Sequence, residues 1–168
     1  MNYYFTGEVK TVWGVTLKRI RGINGEVGGW IERVENLDVS GNAWVSDNAR
    51  VSSNARVSGN AQVCGNAQIS GNALVYGNAQ IYGDALVYGN AQIYGDAQVS
   101  GDARVAWLSG LRYNITVTPQ NVSIGCKLYT HSELKIMTRK KAVAEGLPLR
   151  DHALFKSLIF GMIEAVTR

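Results

Sequence analysis

The amino-acid sequence predicts a mainly β protein whose centre is a stack of three-sided coils. An aliphatic residue recurs every six positions from Val39 to Val105, and an alanine recurs with the same period from Ala43 to Ala103. Glycine followed by asparagine or aspartate fills most of the intervening pairs. A period of six matches neither the period of a helix nor that of a strand. It fits a strand of about four residues and a two-residue corner, so that three units close a coil of 18 residues.

Each unit also predicts which side chains face inward. Alternate residues of a strand point to opposite sides, so in the pattern Ala-x-(Val/Ile)-x the alanine and the aliphatic residue fill the interior. The pair Gly-Asn or Gly-Asp forms the corner, because these residues tolerate a positive φ. Asp47 and Ser53 stand at the glycine position in two copies. The x positions face outward on three faces, one of which carries Arg50, Gln68 and Leu86.

Three regions follow from this pattern: an N-terminal cap at 1–37, the repeat at 38–106, and a C-terminal region at 107–168. Both ends of a stack of strands are open sheet edges, which recruit other chains unless they are covered. In the cap we predict a strand at residues 15–20, and we expect residues 27–31 to begin the first coil.

The C-terminal region is predicted to form a β-hairpin and two helices. Residues 115–118 and 122–126 alternate in polarity around a Pro-Gln-Asn turn, which is typical of a hairpin. Thr130 and Glu133 match a capping box, so we expect a helix from there to Glu145 that ends at Gly146. Asp151 is expected to cap the second helix.

The repeat over residues 39–106 resembles the left-handed parallel β-helix of hexapeptide-repeat proteins, a scaffold shared with transferases. The flanks GEVGGWIERVENL and ITVTPQNVSIGCKLYTHSELK resemble those of small phage- or prophage-encoded hexapeptide-repeat proteins, mostly of unassigned function. The resemblance implies a mainly β left-handed parallel β-helix with an N-terminal strand cap and a C-terminal β-hairpin plus two-helix extension. It also implies a homotrimer in the cytoplasm of a bacterial host cell.

Charge and cysteine content narrow the classes of function. The net charge is +4, and residues 107–168 hold nine basic and four acidic side chains. Cys64 and Cys126 lie far apart without ligand-like spacing, so we expect reduced thiols, no metal and no cofactor. The N-terminus lacks the pattern of an export signal, and residues 153–166 are too short and too amphipathic to span a membrane.

A belt of aromatic side chains is the first candidate binding surface. Consecutive copies of the repeat place tyrosine at one outward position, and arginines lie on the faces nearby; the set is Tyr76, Tyr82, Tyr88, Tyr94, Arg56 and Arg104. A contiguous exposed band of this kind favours subunit packing. It also fits a ligand site at a subunit boundary, where tyrosines stack on a flat ligand and an arginine meets a phosphate. Both interpretations stay open.

The positions of the two histidines bear on whether the protein is an enzyme. Hexapeptide-repeat acyltransferases use a histidine base, often beside a loop that interrupts the coils, to activate an acceptor toward an acyl-CoA. Here no histidine falls within 39–106 and the period is never interrupted. His131 is the candidate base if the protein is an acyltransferase, and a residue at a helix start otherwise.

A basic run, Arg139, Lys140 and Lys141, is the second candidate binding surface, and a trimer would triple its charge. We therefore expect a non-catalytic trimeric binding protein, a phage counter-defence factor that captures a host protein or a phosphate-bearing nucleotide signal. Nucleic acid has weaker support, because no nucleic-acid-binding motif accompanies the run. The alternatives are an acyltransferase that uses acyl-CoA and a structural or assembly protein.

Overall fold

The computed structural model describes residues 2–101, 105–108, 115–125, 127–147 and 152–167. It contains a β-solenoid, which is a stack of parallel coils, followed by a small α+β module. The N-terminal strands are β1 (Tyr3–Val12), β2 (Val15–Gly22) and β3 (Val27–Ile31), and a short 3-10 helix (Val34–Asn36) follows them.

The coils are built from two-residue strands separated by corners. These strands are β4 (Trp44–Val45), β5 (Arg50–Val51), β6 (Arg56–Val57), β7 (Gln62–Val63), β8 (Gln68–Ile69), β9 (Leu74–Val75), β10 (Gln80–Ile81), β11 (Leu86–Val87), β12 (Gln92–Ile93) and β13 (Gln98–Val99). They form three parallel sheets: the first face is β3-β5-β8-β11, the second β4-β7-β10-β13 and the third β6-β9-β12. The assignment of outward residues to three faces is confirmed, since Arg50, Gln68 and Leu86 are in register on the first face.

The interior of the solenoid is a column of small and β-branched side chains. The repeat alanines from Ala49 to Ala97 and the aliphatic residues from Val45 to Val99 are almost completely buried. Burying one such aliphatic side chain is worth about 1.5–3 kcal/mol. The inward positions predicted from the six-residue period are therefore confirmed from Val45 to Val99.

The first coil has a different phase from the coils that follow. Leu37 pairs with Val57, and Trp30 pairs with Arg50, so both pairs are separated by 20 residues. From Trp44 onward the partners are 18 residues apart. Leu37 therefore takes the inward position that the period assigned to Val39, and Val39 is half-buried against the side of the core.

Asparagines at the corners form vertical hydrogen-bonded ladders. In one ladder Asn42, Asn60 and Asn78 each donate their side-chain amide to the residue one coil below, and Asp96 accepts the last bond. The three Nδ2–Oδ1 distances are 3.3, 3.1 and 3.0 Å. Because every polar side chain in this column has a partner above or below, the ladders hold successive coils in register.

The N-terminal cap is a long antiparallel hairpin that extends the first face. β1 pairs with β2, β2 pairs antiparallel with β3, and β3 joins the parallel sheet through β5. The predicted strand at 15–20 and the start of the first coil at 27–31 are both confirmed. The hairpin covers the N-terminal sheet edge of this face, as an exposed edge requires.

The C-terminal module closes the opposite end of the third face. Its antiparallel sheet is β14 (Ala106–Leu108), β15 (Ile115–Val117), β16 (Asn121–Ile124) and β17 (Lys127–Thr130), and the predicted hairpin is the β15–β16 pair. Thr116 Oγ1 accepts the backbone N–H of Gln92 at 3.0 Å, and Ser123 donates to the Gln92 carbonyl at 3.3 Å. Side chains thus replace the missing next strand along β12.

The helical region differs from the prediction in one respect. Instead of one helix to Glu145, the chain forms α1 (His131–Ile136) and α2 (Arg139–Ala144), before α3 (His152–Thr167). The predicted capping box is present, with Glu133 N–H donating to Thr130 Oγ1. Thr138 caps a new helix by accepting the N–H of Lys141, which explains the break. The expected cap at Asp151 lies outside the described residues.

In the part of the chain that the structure describes, no helix combines the length and the apolar character that crossing a bilayer requires.

Candidate functional site

The structure divides the four belt tyrosines into two pairs. Tyr76 and Tyr94 lie one above the other on the third face, with ring centroids 5.3 Å apart and planes inclined by 21°. Tyr94 is only 6% exposed, and its hydroxyl donates to the carbonyl of Lys127 at 2.9 Å. Tyr82 and Tyr88 are 38% and 48% exposed on the second and first faces. The surface that the belt offers to a partner is therefore centred on Tyr82 and Tyr88.

Of the two arginines predicted beside the belt, Arg56 and Arg104, the structure describes only Arg56. Arg56 is exposed on β6, in register above Leu74 and Gln92. Arg56 is thus on the same face as the stacked pair Tyr76 and Tyr94, and on a different face from the exposed Tyr82 and Tyr88. Arg104 lies outside the described residues.

The basic run lies on α2, where Arg139, Lys140 and Lys141 are all exposed. Hydrogen bonds from Thr130, and then the charge of Lys141, lower the pKa of Glu133 below its ordinary value. Lys141 also contributes, after Tyr129 and Lys127, to the lowered pKa of Glu145. One of the three cations therefore already has acidic neighbours within the chain.

His131 makes a structural hydrogen bond. Its Nε2 is 3.0 Å from the carbonyl oxygen of Thr118, in the turn between β15 and β16. A carbonyl only accepts, so Nε2 carries a proton and donates it. The ring thereby ties the start of α1 to the hairpin turn, which matches the interpretation of His131 as a residue at a helix start.

A group of cations that the sequence analysis did not single out lies at the N-terminal end of the first face. Lys10 Nζ is 4.0 Å from the centroid of the Trp30 ring, and the Arg19 guanidinium is 5.0 Å from the same ring. Arg50 is the register partner of Trp30 on the next strand. We call Lys10 and Arg19, which lie over the Trp30 ring, together with Arg50 on the neighbouring strand, the first-face cationic cluster.

The three cations of this cluster repel one another. Burial, followed by the charges of Arg50 and Arg19, lowers the pKa of Lys10. Among the described residues, the side-chain salt bridges are Arg33–Glu32 and Lys127–Glu145, and neither includes a member of the cluster. Lys10 and Arg19 are held by the Trp30 ring, and Arg50 is brought beside them by the sheet.

Trp30 itself carries an unused donor. The ring is 9% exposed, and its indole N–H makes no hydrogen bond within the described part of the chain. A buried N–H without an acceptor costs about 1–3 kcal/mol. This N–H is buried, so the groups of the cluster that an external acceptor can reach are the three cations.

Sequence reasoning missed this cluster because its members are brought together by register alone. β1, β2 and β3 pair antiparallel, so Lys10, Arg19 and Trp30 converge from three different strands. Arg50 joins them because the first coil is two residues longer than the others. The stretch GEVGGWIERV could have indicated the cluster, because Trp30 occupies an outward coil position in it. The two extra residues of that coil meant that an 18-residue spacing did not identify Arg50 as the partner of Trp30.

The described residues offer little for metal or thiol chemistry. No group of three His, Cys, Asp or Glu side chains among them could hold a metal ion. Cys64 is a free, half-buried thiol, and burial followed by the nearby Asp47 raises its pKa. Its thiolate, which is the reactive form, is disfavoured. Cys126 lies outside the described residues.

Comparison with known proteins supports the repeat. A family model described as "YdcK Beta solenoid repeat" matches residues 49–65, 67–79 and 79–95. No curated protein matches the chain. The matched segments lie in the stacked coils between β5 and β13, and they include neither the N-terminal hairpin nor the C-terminal module. The central part of this chain is therefore a β-solenoid built from repeats like those of YdcK.

Proposed function

We propose that the protein is a non-catalytic binding protein that captures an anionic partner on the first-face cationic cluster. The observation that carries the proposal is that Lys10 and Arg19 lie over Trp30, with Arg50 on the next strand, and that no salt bridge among the described residues includes any of the three cations. A bound anion offsets the repulsion among these cations and accepts charge-assisted hydrogen bonds from them. The partner class is a phosphate-bearing signal molecule or an acidic host protein.

The finer parts of the proposal follow from the resemblance of the repeat and flanks to hexapeptide-repeat proteins. We propose a homotrimer in the cytoplasm of a bacterial host cell, encoded by a phage and acting against a host defence. Three copies of the cluster around one axis would strengthen the attraction for a multivalent anion. The exposed Tyr82 and Tyr88 supply apolar surface for packing between subunits.

The function is tested by neutralising the cluster and, separately, the basic run. One variant carries Lys10→Gln, Arg19→Gln and Arg50→Gln; the matched control carries Arg139→Gln, Lys140→Gln and Lys141→Gln. Both remove three positive charges, so the net charge changes equally. We measure the affinity for tripolyphosphate by calorimetry, and we check folding by circular dichroism.

We expect the cluster variant to bind tripolyphosphate at least about a hundredfold more weakly, since each lost charged hydrogen bond is worth about 1.5–3 kcal/mol. The control variant should stay within about twofold, apart from a general effect of salt. If the control loses binding and the cluster variant keeps it, the site is α2 and this assignment is wrong. Binding of an acyl-CoA that requires His131 would instead support an acyltransferase.

A further inference from the structure

A cleft borders the cationic cluster, between the tip of the N-terminal hairpin and the first face. It has a volume of about 170 Å³. Leu17 and the tip residue Trp13 form one side, and the outward side chains of the coils form the other, with Arg50, Ser52, Gln68 and Ser70 among them. Arg50 belongs to both the cleft and the cluster, so the two are continuous.

Trp13 is placed in an unusual way for an indole ring. It is 84% exposed at the turn between β1 and β2, and its backbone is left-handed, with φ of 50°. The two-residue turn Trp13-Gly14 between β1 and β2 requires left-handed backbone at both residues, and asparagine or glycine usually fills such a position rather than tryptophan. The Arg50 guanidinium lies 5.3 Å from the ring centroid and so covers one region of the ring. The rest of this large aromatic surface has no packing role in the described fold.

We infer that this cleft binds a nucleoside phosphate, with the base against Trp13 and the phosphate at the cationic cluster. The inference rests on the proposed function and names its ligand class. Stacking on an exposed indole suits any nucleobase, because every base has a π face. The phosphate lies beside Arg50, on the side of the strand where Lys10 and Arg19 lie over the Trp30 ring.

The polar side of the cleft suits the edge of a base. The Gln68 amide both donates and accepts, and the hydroxyls of Ser52 and Ser70 do the same. Leu17 supplies an apolar surface on the opposite side. An aromatic ring, an amide, hydroxyls and an apolar side chain are the groups that hold a flat heterocycle while its edge is hydrogen-bonded.

Arg50 connects the two halves of the site. A guanidinium can lie against an aromatic ring and still donate in its own plane to two phosphate oxygens. Arg50 already contacts Trp13 and is in register with Trp30, so one side chain reaches from the base position to the phosphate position. A lysine could not make both interactions with its single ammonium group.

The experiment compares three probes with the full-length chain: AMP, adenosine and inorganic phosphate. Binding is followed by calorimetry and by quenching of tryptophan fluorescence. We expect AMP to bind at least about tenfold more tightly than either adenosine or phosphate, because it occupies both halves of the site. Only the two probes that carry a base should quench the fluorescence.

Two substitutions and one matched control locate the site. Trp13→Asn keeps a residue that tolerates left-handed backbone, and it should weaken AMP binding by about fivefold to a hundredfold. Arg50→Gln should weaken AMP binding by about tenfold or more. Lys135→Gln is the control, since Lys135 is an exposed cation on α1 that is not part of the cleft, and it should leave AMP binding unchanged.

The outcomes separate this inference from the proposed function. If phosphate binds as tightly as AMP, and Trp13→Asn has no effect, the base site is wrong while anion binding stands. If none of the probes binds but tripolyphosphate does, the ligand is an extended polyanion and the inference is again wrong. Failure of tripolyphosphate and AMP alike overturns both proposals.

Discussion

At the scale of the residue, glycine at the corners meets two requirements at once. The corner glycines from Gly59 to Gly101 have positive φ angles, and a Cβ on Gly77 would lie 2.8 Å from the backbone nitrogen of Gly95 in the coil below. Asp47 and Ser53 show that a side chain is tolerated at the first corners of the stack, where φ is smaller, at 55° and 59°. At Asp47 the side chain also bonds the coil below, because its carboxylate accepts the backbone N–H of Gly65 at 2.9 Å.

We therefore expect Gly77→Ala to destabilise the protein more than Gly95→Ala. Both residues have left-handed backbone, with φ of 74° and 65°, so both substitutions pay a similar conformational cost of about 1–2 kcal/mol. Only Gly77 also places a Cβ against the backbone of the next coil, while the nearest atom to a Cβ on Gly95 is Leu128 Cδ2 at 4.0 Å. The extra overpacking cost is about 1–3 kcal/mol.

Thermal and urea unfolding of the two alanine variants measure this difference directly. The pair is matched in residue type, corner column and backbone conformation, which leaves the coil below as the main variable. Equal destabilisation would mean that the coils separate without cost, and the close stacking of corners would then not contribute to stability.

At the scale of the element, the C-terminal module depends on a few bonds between its sheet and its helices. Glu145, just after α2, accepts a hydrogen bond of 2.6 Å from the hydroxyl of Tyr129 on β17. Lys127 on the same strand donates to the Glu145 carboxylate and to its main-chain carbonyl. These contacts fix α2 against β17, and the ionised carboxylate accepts them more strongly than the neutral acid does.

This arrangement predicts a specific loss of stability in acid. The hydrogen bond from Tyr129, and then the bond and charge of Lys127, lower the pKa of Glu145. A carboxyl with a lowered folded-state pKa contributes stability above its ordinary pKa of about 4.3, and loses it as the pH falls through the folded value. We expect the module to loosen below about pH 4, as measured by hydrogen exchange of β17 and α2.

Glu145→Gln provides the control for this titration. The amide keeps the shape and can still accept from Tyr129, but it does not titrate, so its exchange rates should change less between pH 6 and pH 3. Glu133, which also has a lowered pKa, remains in both proteins and cancels in the comparison. If the two proteins show the same pH dependence, Glu145 is not the group responsible.

The elements that the sequence predicted well are those set by local patterns. The six-residue period predicted the coils and their faces, and the Pro-Gln-Asn turn predicted the β15–β16 hairpin. The break between α1 and α2 was not predicted. A threonine can lie inside a helix or at its N-cap, so the residue type at 138 does not by itself show that its hydroxyl accepts the Lys141 N–H. The cationic cluster was missed for a different reason. Trp30 and Arg50 are 20 residues apart instead of 18, and β1, β2 and β3 pair antiparallel, so the six-residue period does not bring these residues together.

At the scale of the whole molecule, apolar surface remains on the outside of the coils. Tyr82 and Tyr88 are exposed on two neighbouring faces, and Leu74 and Leu86 are half-buried at outward positions near them. Contiguous apolar surface of this kind marks an interaction site on a protein. The trimer proposed above gives it a partner, in the form of the same surface on another subunit.

We therefore expect a mass in solution of three times the 18.3 kDa of the chain, as measured by light scattering after size exclusion. The double substitution Tyr82→Glu and Tyr88→Glu should dissociate the trimer, because a carboxylate buried in an apolar interface costs several kcal/mol. Tyr4→Glu is the matched control: Tyr4 is 51% exposed on the N-terminal hairpin, away from this belt. A single-chain mass for the unmodified protein would refute the trimer, whereas a trimer that survives the double substitution would place the subunit interface on another surface.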